Sequence, residues 1–527
     1  MNPAAVILCF SLVYGTCKGA RYEEDITIIG AGIGGTYTGW RLRNKGLRVG
    51  IYEYSDRVGG RMYTRRFPDA PDLPIEFGAM RLLPEEHLRM MKAGNELGLH
   101  FVPFNEGLGK IPNRTILFYR DTHMTTFELG GTHTPYSLRP EELRNPVDLE
   151  QYLSETYSNY NGTDPKTELF TAVTHDGVPL YQQSYKELIQ KTGISKEAYN
   201  YIIDSSLFHD DVFDTQSILR FPRSRKNTTP HITTSRLPPV VTVSEGMDSF
   251  PKGFMKQFTS SNPFRHRYFR NRQLVKISRS KRGKLKLKFK RTRTINGKTI
   301  RTKRSFKVYT RNVILALPKV PLQNIRMPVS SNARFQSALN SVTDVKASKI
   351  FLVYDYAWWL YGPMNFTYTH SDLPYRQSFH WGISRTGKAI LLISYADFED
   401  PLFWSQLQQR GKVISKRNDD TRVTDQVVKH AHYQLSKVYN INFTHIPKPV
   451  DGMMFVWEMY PFKGAWCVWK PGSRWYDIKN FLTKPFLFNN IYIVHGYWGA
   501  EYRTWGEATL KAADDVLSYF KLSSYLT

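Results

Sequence analysis

The chain has 527 residues, a formal net charge of +27, and hydrophobic and aromatic fractions of 41% and 14%. Such a length exceeds one simple core and such an apolar content excludes long-range disorder, so two or three folded domains are expected. The charge implies attraction to anionic partners (nucleic acid, acidic glycans or anionic membranes), and composition does not choose among them.

The chain opens with "AVILCFSLVYG", an apolar run short for a bilayer span, followed by small residues and the polar "ARYEED". This pattern predicts a secretory signal peptide over 1–19, cleaved after Cys17 or Gly19. Cys467 then stands alone, expected as a buried apolar thiol between Trp466 and Trp469. Asn-x-Ser/Thr sequons at Asn113, Asn161, Asn227, Asn365 and Asn442 fit export as a glycoprotein.

The next stretch, "DITIIGAGIGGTYTGWRLRNKGLRVGIYEYSDRVGGRMYT", predicts a strand over 25–29, a helix through Arg43 stopped at Gly46, and a second strand over 48–52. Gly30, Gly32 and Gly35 form G-x-G-x-x-G, with Gly34 inside it and Glu53 at the end of the second strand. Strand, glycines, helix, strand and acid in that order are the dinucleotide-binding pattern. The first glycine permits the turn, the second lets backbone approach a pyrophosphate, and the third lets helix and strand pack closely. The helix N-terminus faces the phosphates, and the acid accepts from a ribose diol. A second glycine loop, Gly59-Gly60-Arg61, follows Arg57.

Residues 140–235 read as helix and loop. The basic region comes next, with no Asp or Glu between Asp248 and Asp344. Lys284, Lys286, Lys288 and Lys290 alternate with Leu285, Leu287 and Phe289, which predicts a strand with one buried face. Asn296-Gly297 predicts a two-residue hairpin turn, and "RQLVKISRS" completes a meander that runs into the buried strand "NVILALP". The basic residues are thus expected on an ordered sheet. "SKIFLVYDYAWW" and "AILLISYADF" predict strands of another sheet, and "TWGEATLKAADDVLSYF" an amphipathic helix. No cluster at ligand spacing suggests a metal, and His209, Asp210 and Asp211 read as a solvated loop.

The two glycine loops together resemble the flavin-containing amine oxidase superfamily. "FGAMRLLPE", "KASKIFLVYDYAWW", "YPFKGAWCVWKPG" and "RTWGEATLKAADDV" resemble its secreted L-amino-acid oxidase branch, which includes gastropod antimicrobial proteins. The resemblance implies FAD, held by the glycine loops with Glu53, Arg57 and Arg61, and by Gly78, Ala79, Met80, Arg81, Val275, Trp505, Gly506 and Glu507. It implies that Arg81 clamps the substrate carboxylate and that Lys349 faces the flavin and assists reaction with oxygen. Trp466 and Trp505 would line the substrate pocket. Relatives place a tyrosine hydroxyl on the carboxylate where this chain has Phe379, with His380 beside it. They also place an acid after the last strand where this chain has none before Glu501.

The expected fold is α/β: a discontinuous FAD-binding Rossmann-like domain of the GR2 type (21–80, 236–318 and 485–522), a β-sheet substrate domain (81–139 and 319–484) and a helical subdomain (140–235). The expected function is a secreted oxidase converting L-amino acids and O2 to 2-oxo acids, ammonia and hydrogen peroxide, with an antimicrobial role. Residues 265–311 would meet anionic cell surfaces or acidic glycans; a nucleic-acid partner ranks last, and no membrane span is expected. The alternatives are a polyamine or monoamine oxidase, and a catalytically weak flavin-fold protein that binds matrix or glycans.

Overall fold

A computed structural model describes residues 23–526, apart from 105–114, 161–169, 207–239, 281–282, 329, 363, 365, 416, 418, 487–488, 495 and 500–504. The expected signal segment, the sequons at Asn113, Asn161, Asn227 and Asn365, the 209–211 loop and Glu501 lie outside the described residues. Asn442 is exposed, and its side-chain oxygen accepts from the Thr444 N–H at 2.9 Å. Among the described residues no helix is long and apolar enough to cross a membrane.

Two seven-stranded sheets organise the chain. In the first, the strand Glu23–Ile29 lies between Val49–Tyr52 and the C-terminal half of Lys298–Leu315, parallel to both. His266–Phe269 extends the sheet beyond Val49–Tyr52, and Ile491–Ile493 adds a further parallel pairing to Lys298–Leu315. The helices Ile33–Leu42, Ser249–Ser261 and Gly506–Leu517 cover one face, where Ile26, Ile28, Val49 and Ile51 meet Tyr37, Trp40, Phe254 and Leu510. Met90 and Ala93 of the helix Leu88–Glu96 belong to this same core. Ile29, Tyr52, Val313 and Leu315 pack on the other face with Leu322, Phe335 and Trp498, and covering both faces suits parallel strands, which are apolar on both sides.

The meander continues this sheet. Arg272–Arg279, Leu285–Ile295 and the first half of Lys298–Leu315 pair antiparallel. Asn296 and Gly297 both take positive φ (49° and 76°), the geometry that an Asn-Gly hairpin turn requires. Leu285, Leu287 and Phe289 are buried, whereas Lys288 is exposed and Lys286 and Lys290 are half-buried. A register shift between Lys290 and Thr292 bends the distal end of the hairpin.

In the second sheet the order is Asp451–Val456, Ala347–Tyr354, Ala389–Asp397, Gln377–Ile383, Tyr368–Ser371, Thr115–Tyr119 and Thr122–Met124. Trp404, Val427, Ala431 and Leu435, from the helices Asp400–Arg410 and Asp425–Val438, close one face. Phe351, Val353, Phe379 and Leu392 pack on the other against Phe77. The helices Pro146–Tyr157, Tyr185–Lys191 and Lys196–Ser205 form a separate cluster over Leu117 and Tyr119. Each starts at a side-chain cap, from Asn145, Ser184 and Ser195 respectively.

The tightest approach in the first sheet is where its first strand hands over to the helix Ile33–Leu42. A Cβ on Gly35 would lie 1.9 Å from the Gly30 carbonyl oxygen. Gly35→Ala must push helix and strand apart and is expected to cost about 1–3 kcal/mol or more. The measurement is a lowered urea midpoint at unchanged slope.

Candidate active site

The two glycine loops meet face to face. The Gly59 N–H donates to the Ala31 carbonyl at 2.9 Å, and Gly60, at φ +60°, would carry a Cβ only 3.1 Å from the Gly32 Cα. Behind them, one Glu53 carboxylate oxygen accepts from the Ala31 N–H at 2.8 Å and the other from the N–H and hydroxyl of Ser55. Glu53 thus fixes the first loop and leaves its carboxylate on the cavity wall beside it.

That cavity, of about 1180 Å³, runs between the two sheets. It exceeds the roughly 300–1,000 Å³ of an ordinary small-molecule site. Gly30, Gly32, Gly34, Glu53, Arg57, Gly59, Gly60 and Arg61 line one end. Gly78, Ala79, Met80, Arg81, Lys349, Trp466, Trp505 and Gly506 line the rest. Arg57 has a buried Nη1 without a hydrogen-bond partner, while its guanidinium lies 4.1 Å from the centre of the Tyr63 ring. An unpaired guanidinium N–H beside a glycine cradle and a helix N-terminus fits a diphosphate, and the Glu53 carboxylate fits a ribose. The residues present therefore suit a dinucleotide such as FAD.

Lys349 comes from a strand buried at every position. Its Nζ donates to the carbonyls of Glu76 (3.0 Å) and Gly78 (2.8 Å) and reaches the Met80 Sδ at 3.2 Å. Burial pushes its ammonium down to about 7, and the Arg81 charge adds to the fall, against a pull upward from Glu76. The same burial pushes the Glu76 carboxyl up to about 8, although the Thr64 hydroxyl and the Met247 N–H both donate to it. Trp457 Nε1–H donates to the Phe77 carbonyl at 2.7 Å, and the Ala79 N–H to the Arg61 carbonyl at 3.3 Å. The segment carrying Arg81 is thereby held from both sides, and Arg81 itself is half-buried on the cavity wall.

Several cavity residues carry no sequence signal. Tyr395 faces Lys349, whose Nζ is 4.8 Å from its ring centre, and its phenol is raised by burial and drawn back by the Arg81 charge. His87 is buried beside Trp505 (ring centres 4.7 Å apart), and burial lowers it to about 4, so it is neutral. Its Nδ1 accepts from the Leu83 N–H, which places the ring proton on Nε2. The tip of the basic hairpin, Asn296 to Thr299, also lines this cavity, with Tyr54 OH donating to the Thr299 carbonyl at 2.7 Å. Opposite the tip stand Asp419 and Asp420, and a Cβ on Gly297 would lie 2.2 Å from the Asp420 carboxyl carbon.

Other expected residues fall elsewhere. Gly35 is enclosed by the strand-to-helix turn. Val275 sits at the register shift of its strand, its carbonyl accepting from the Arg326 N–H, while Arg272, Gln273 and Leu274 form the wall. Phe379 is buried against Tyr368, ring centres 4.9 Å apart, and His380 accepts from Trp359 Nε1–H at 3.2 Å; neither reaches the cavity. Glu507 is also off the wall. Its carboxylate is ion-paired with Arg89 at 3.0 Å and accepts from the Met90 N–H, binding the last helix to Leu88–Glu96. Among the described residues no cluster of three His, Cys, Asp or Glu side chains could hold a metal.

Comparison with known proteins bears on this geometry. Residues 33–504 match the family model for flavin containing amine oxidoreductase. Aplysianin-A of Aplysia kurodai is 31% identical over 528 residues, spanning 96% of this chain and 92% of that protein. Achacin of Lissachatina fulica is 30% identical over 512 residues, 94% of each. A putrescine oxidase structure superposes with a TM-score of 0.66 over 95% of this chain and 99% of its own, at 14% identity, which speaks for the fold alone. With a glycine-lined dinucleotide cavity between two sheets and a family match spanning nearly its whole length, the chain belongs to the flavin-containing amine oxidoreductases, and its cofactor is FAD.

Proposed function

We propose that the protein is a secreted FAD-dependent oxidase of L-amino acids, antimicrobial in role, that docks on anionic surfaces. The observation carrying the catalytic part is Arg81 on the same cavity wall as the buried Lys349. A planar, permanently charged guanidinium suits an α-carboxylate, a group that monoamines and polyamines lack. The export part rests on the apolar segment within 1–19 and the five sequons.

When bound, FAD supplies the two-electron acceptor for a reaction in which L-amino acid, O2 and water give 2-oxo acid, ammonia and hydrogen peroxide. The protein supplies orientation and electrostatics. Arg81 holds the substrate carboxylate, and Tyr395 offers on the same wall the hydroxyl that Phe379 lacks. Trp466 and Trp505 narrow the cavity and exclude water. His87, held neutral, adds no positive charge against the substrate amine. Lys349, carrying a proton below about pH 7 and losing it above, can hold or move a proton at Nζ near neutrality.

Three measurements test this reading. Purified protein should show flavin absorbance and release peroxide with L-amino acids. Turnover of polyamines or monoamines instead would overturn the carboxylate clamp. Arg81→Ala should lower kcat/KM about 100-fold or more, the loss of about 3 kcal/mol of charge-assisted binding, and keep its flavin spectrum; Arg81→Lys should recover only part. Oxygen consumption at saturating amino acid should change across about pH 7 in the wild type. In Lys349→Met it should be slower and lack that transition.

A further inference from the structure

The outer face of the meander carries a row that sequence alternation alone does not show. Lys288 pairs directly with Lys276 on one neighbouring strand and with Lys307 on the other, and all three are exposed. Paired strands lie about 4.8 Å apart, so three ammonium groups stand side by side across the sheet. Lys286 and Lys290 flank the centre of the row on the same strand, about 7 Å away along it. The three acids of the adjoining strand are engaged elsewhere: Glu23 with Lys284, Glu24 with the Thr27 and Tyr52 hydroxyls, and Asp25 with Arg48 and Arg311. Among the described residues none of these five lysines has an ion pair. Like charges placed directly opposite one another destabilise a sheet, so the fold holds a repulsion that an anionic ligand would relieve.

We propose that this lysine row is a docking site for a linear sulfated polysaccharide. The proposal rests on the surface-docking part of the function above and is independent of its oxidase chemistry. Ammonium groups are compact, strongly hydrated point charges, suited to single anionic groups spaced along a chain. Nucleic acid fits less well. The row lies across three paired strands, wider than the helix or two-stranded ribbon that a groove admits, and Tyr309 on this face is half-buried, whereas single strands need exposed stacking platforms. A bilayer fits less well too, because Ile295 and Ile300, the exposed aliphatics of the hairpin, sit at its tip and away from the row.

The test uses the full-length flavoprotein with a heparin oligosaccharide, its desulfated counterpart, a single-stranded DNA of matched charge and phosphatidylserine vesicles. Heparin should bind with log K falling linearly in log salt. The Lys276→Ser, Lys288→Ser, Lys307→Ser triple variant should lose about tenfold or more in affinity and about three in salt slope. Lys288→Glu should also lose heparin and should unfold at a higher temperature, since its carboxylate stands between two lysines. Flavin spectrum and peroxide production should be unchanged in both variants. Undiminished heparin binding by the triple variant, or desulfated polymer, DNA or vesicles bound as tightly as heparin, would overturn the proposal. Sulfate-dependent binding without peroxide production would sink the oxidase reading alone.

Discussion

A single buried ammonium organises the site. Lys349 projects from near the start of the strand Ala347–Tyr354, and its Nζ is satisfied by the carbonyls of Glu76 and Gly78, on the segment that also bonds to the second glycine loop. A cation with no such partners would be very costly to bury, and with backbone dipoles alone it remains poised close to losing its proton. The contact therefore does two things at once. It fixes the position of Arg81, a few residues further along, relative to the glycine cradle. It also places a weakly basic nitrogen on the wall that a substrate would share. Replacing either carbonyl contact by a carboxylate would hold the ammonium charged and remove the second effect.

Burial dominates the electrostatics around that nitrogen, and the neighbouring charges act against one another on top of it. Glu76 draws Lys349 up and Arg81 pushes it down by less, while burial carries the Glu76 carboxyl itself up to about 8. Near pH 7 the pair approaches neutrality, which leaves Arg81 as the dominant charge on that wall. In a protein of net charge +27, the field outside the cavity attracts anions in general, and the guanidinium on the cavity wall is the group to which a carboxylate would bind. Long-range attraction and local selection thus lie in different residues.

What was legible in the chain follows from how local each signal is. The glycine loops, Glu53 and the helix start are separated by few residues, and their spacing carries the geometry, so the first strand, helix and second strand are where the pattern puts them. The meander was legible for the same reason, through alternation and an Asn-Gly turn. The face of Lys349 was not, because a strand buried on both sides has no period-two contrast to read. Tyr395, His87 and Asp420 reach the cavity through contacts between segments far apart in the chain, which composition and spacing do not encode. Val275 was displaced by a local register shift, and Glu507, close in sequence to Trp505, was turned away by its ion pair with Arg89.

The basic hairpin shows why a charge run cannot be assigned one role from sequence. Its proximal part belongs to the first sheet, with Leu287 and Phe289 in the core and a lysine row outside. Beyond the register shift, the strands bend and Thr292 bonds to the Tyr54 carbonyl at 2.6 Å, bringing the tip over the cavity against Asp419 and Asp420. Repulsion within the lysine row opposes the pairing of the strands that also carry the tip, whereas at the tip the Tyr54 hydroxyl holds the Thr299 carbonyl. The cofactor cavity and the outer face are therefore served by two ends of one hairpin, each through its own contacts.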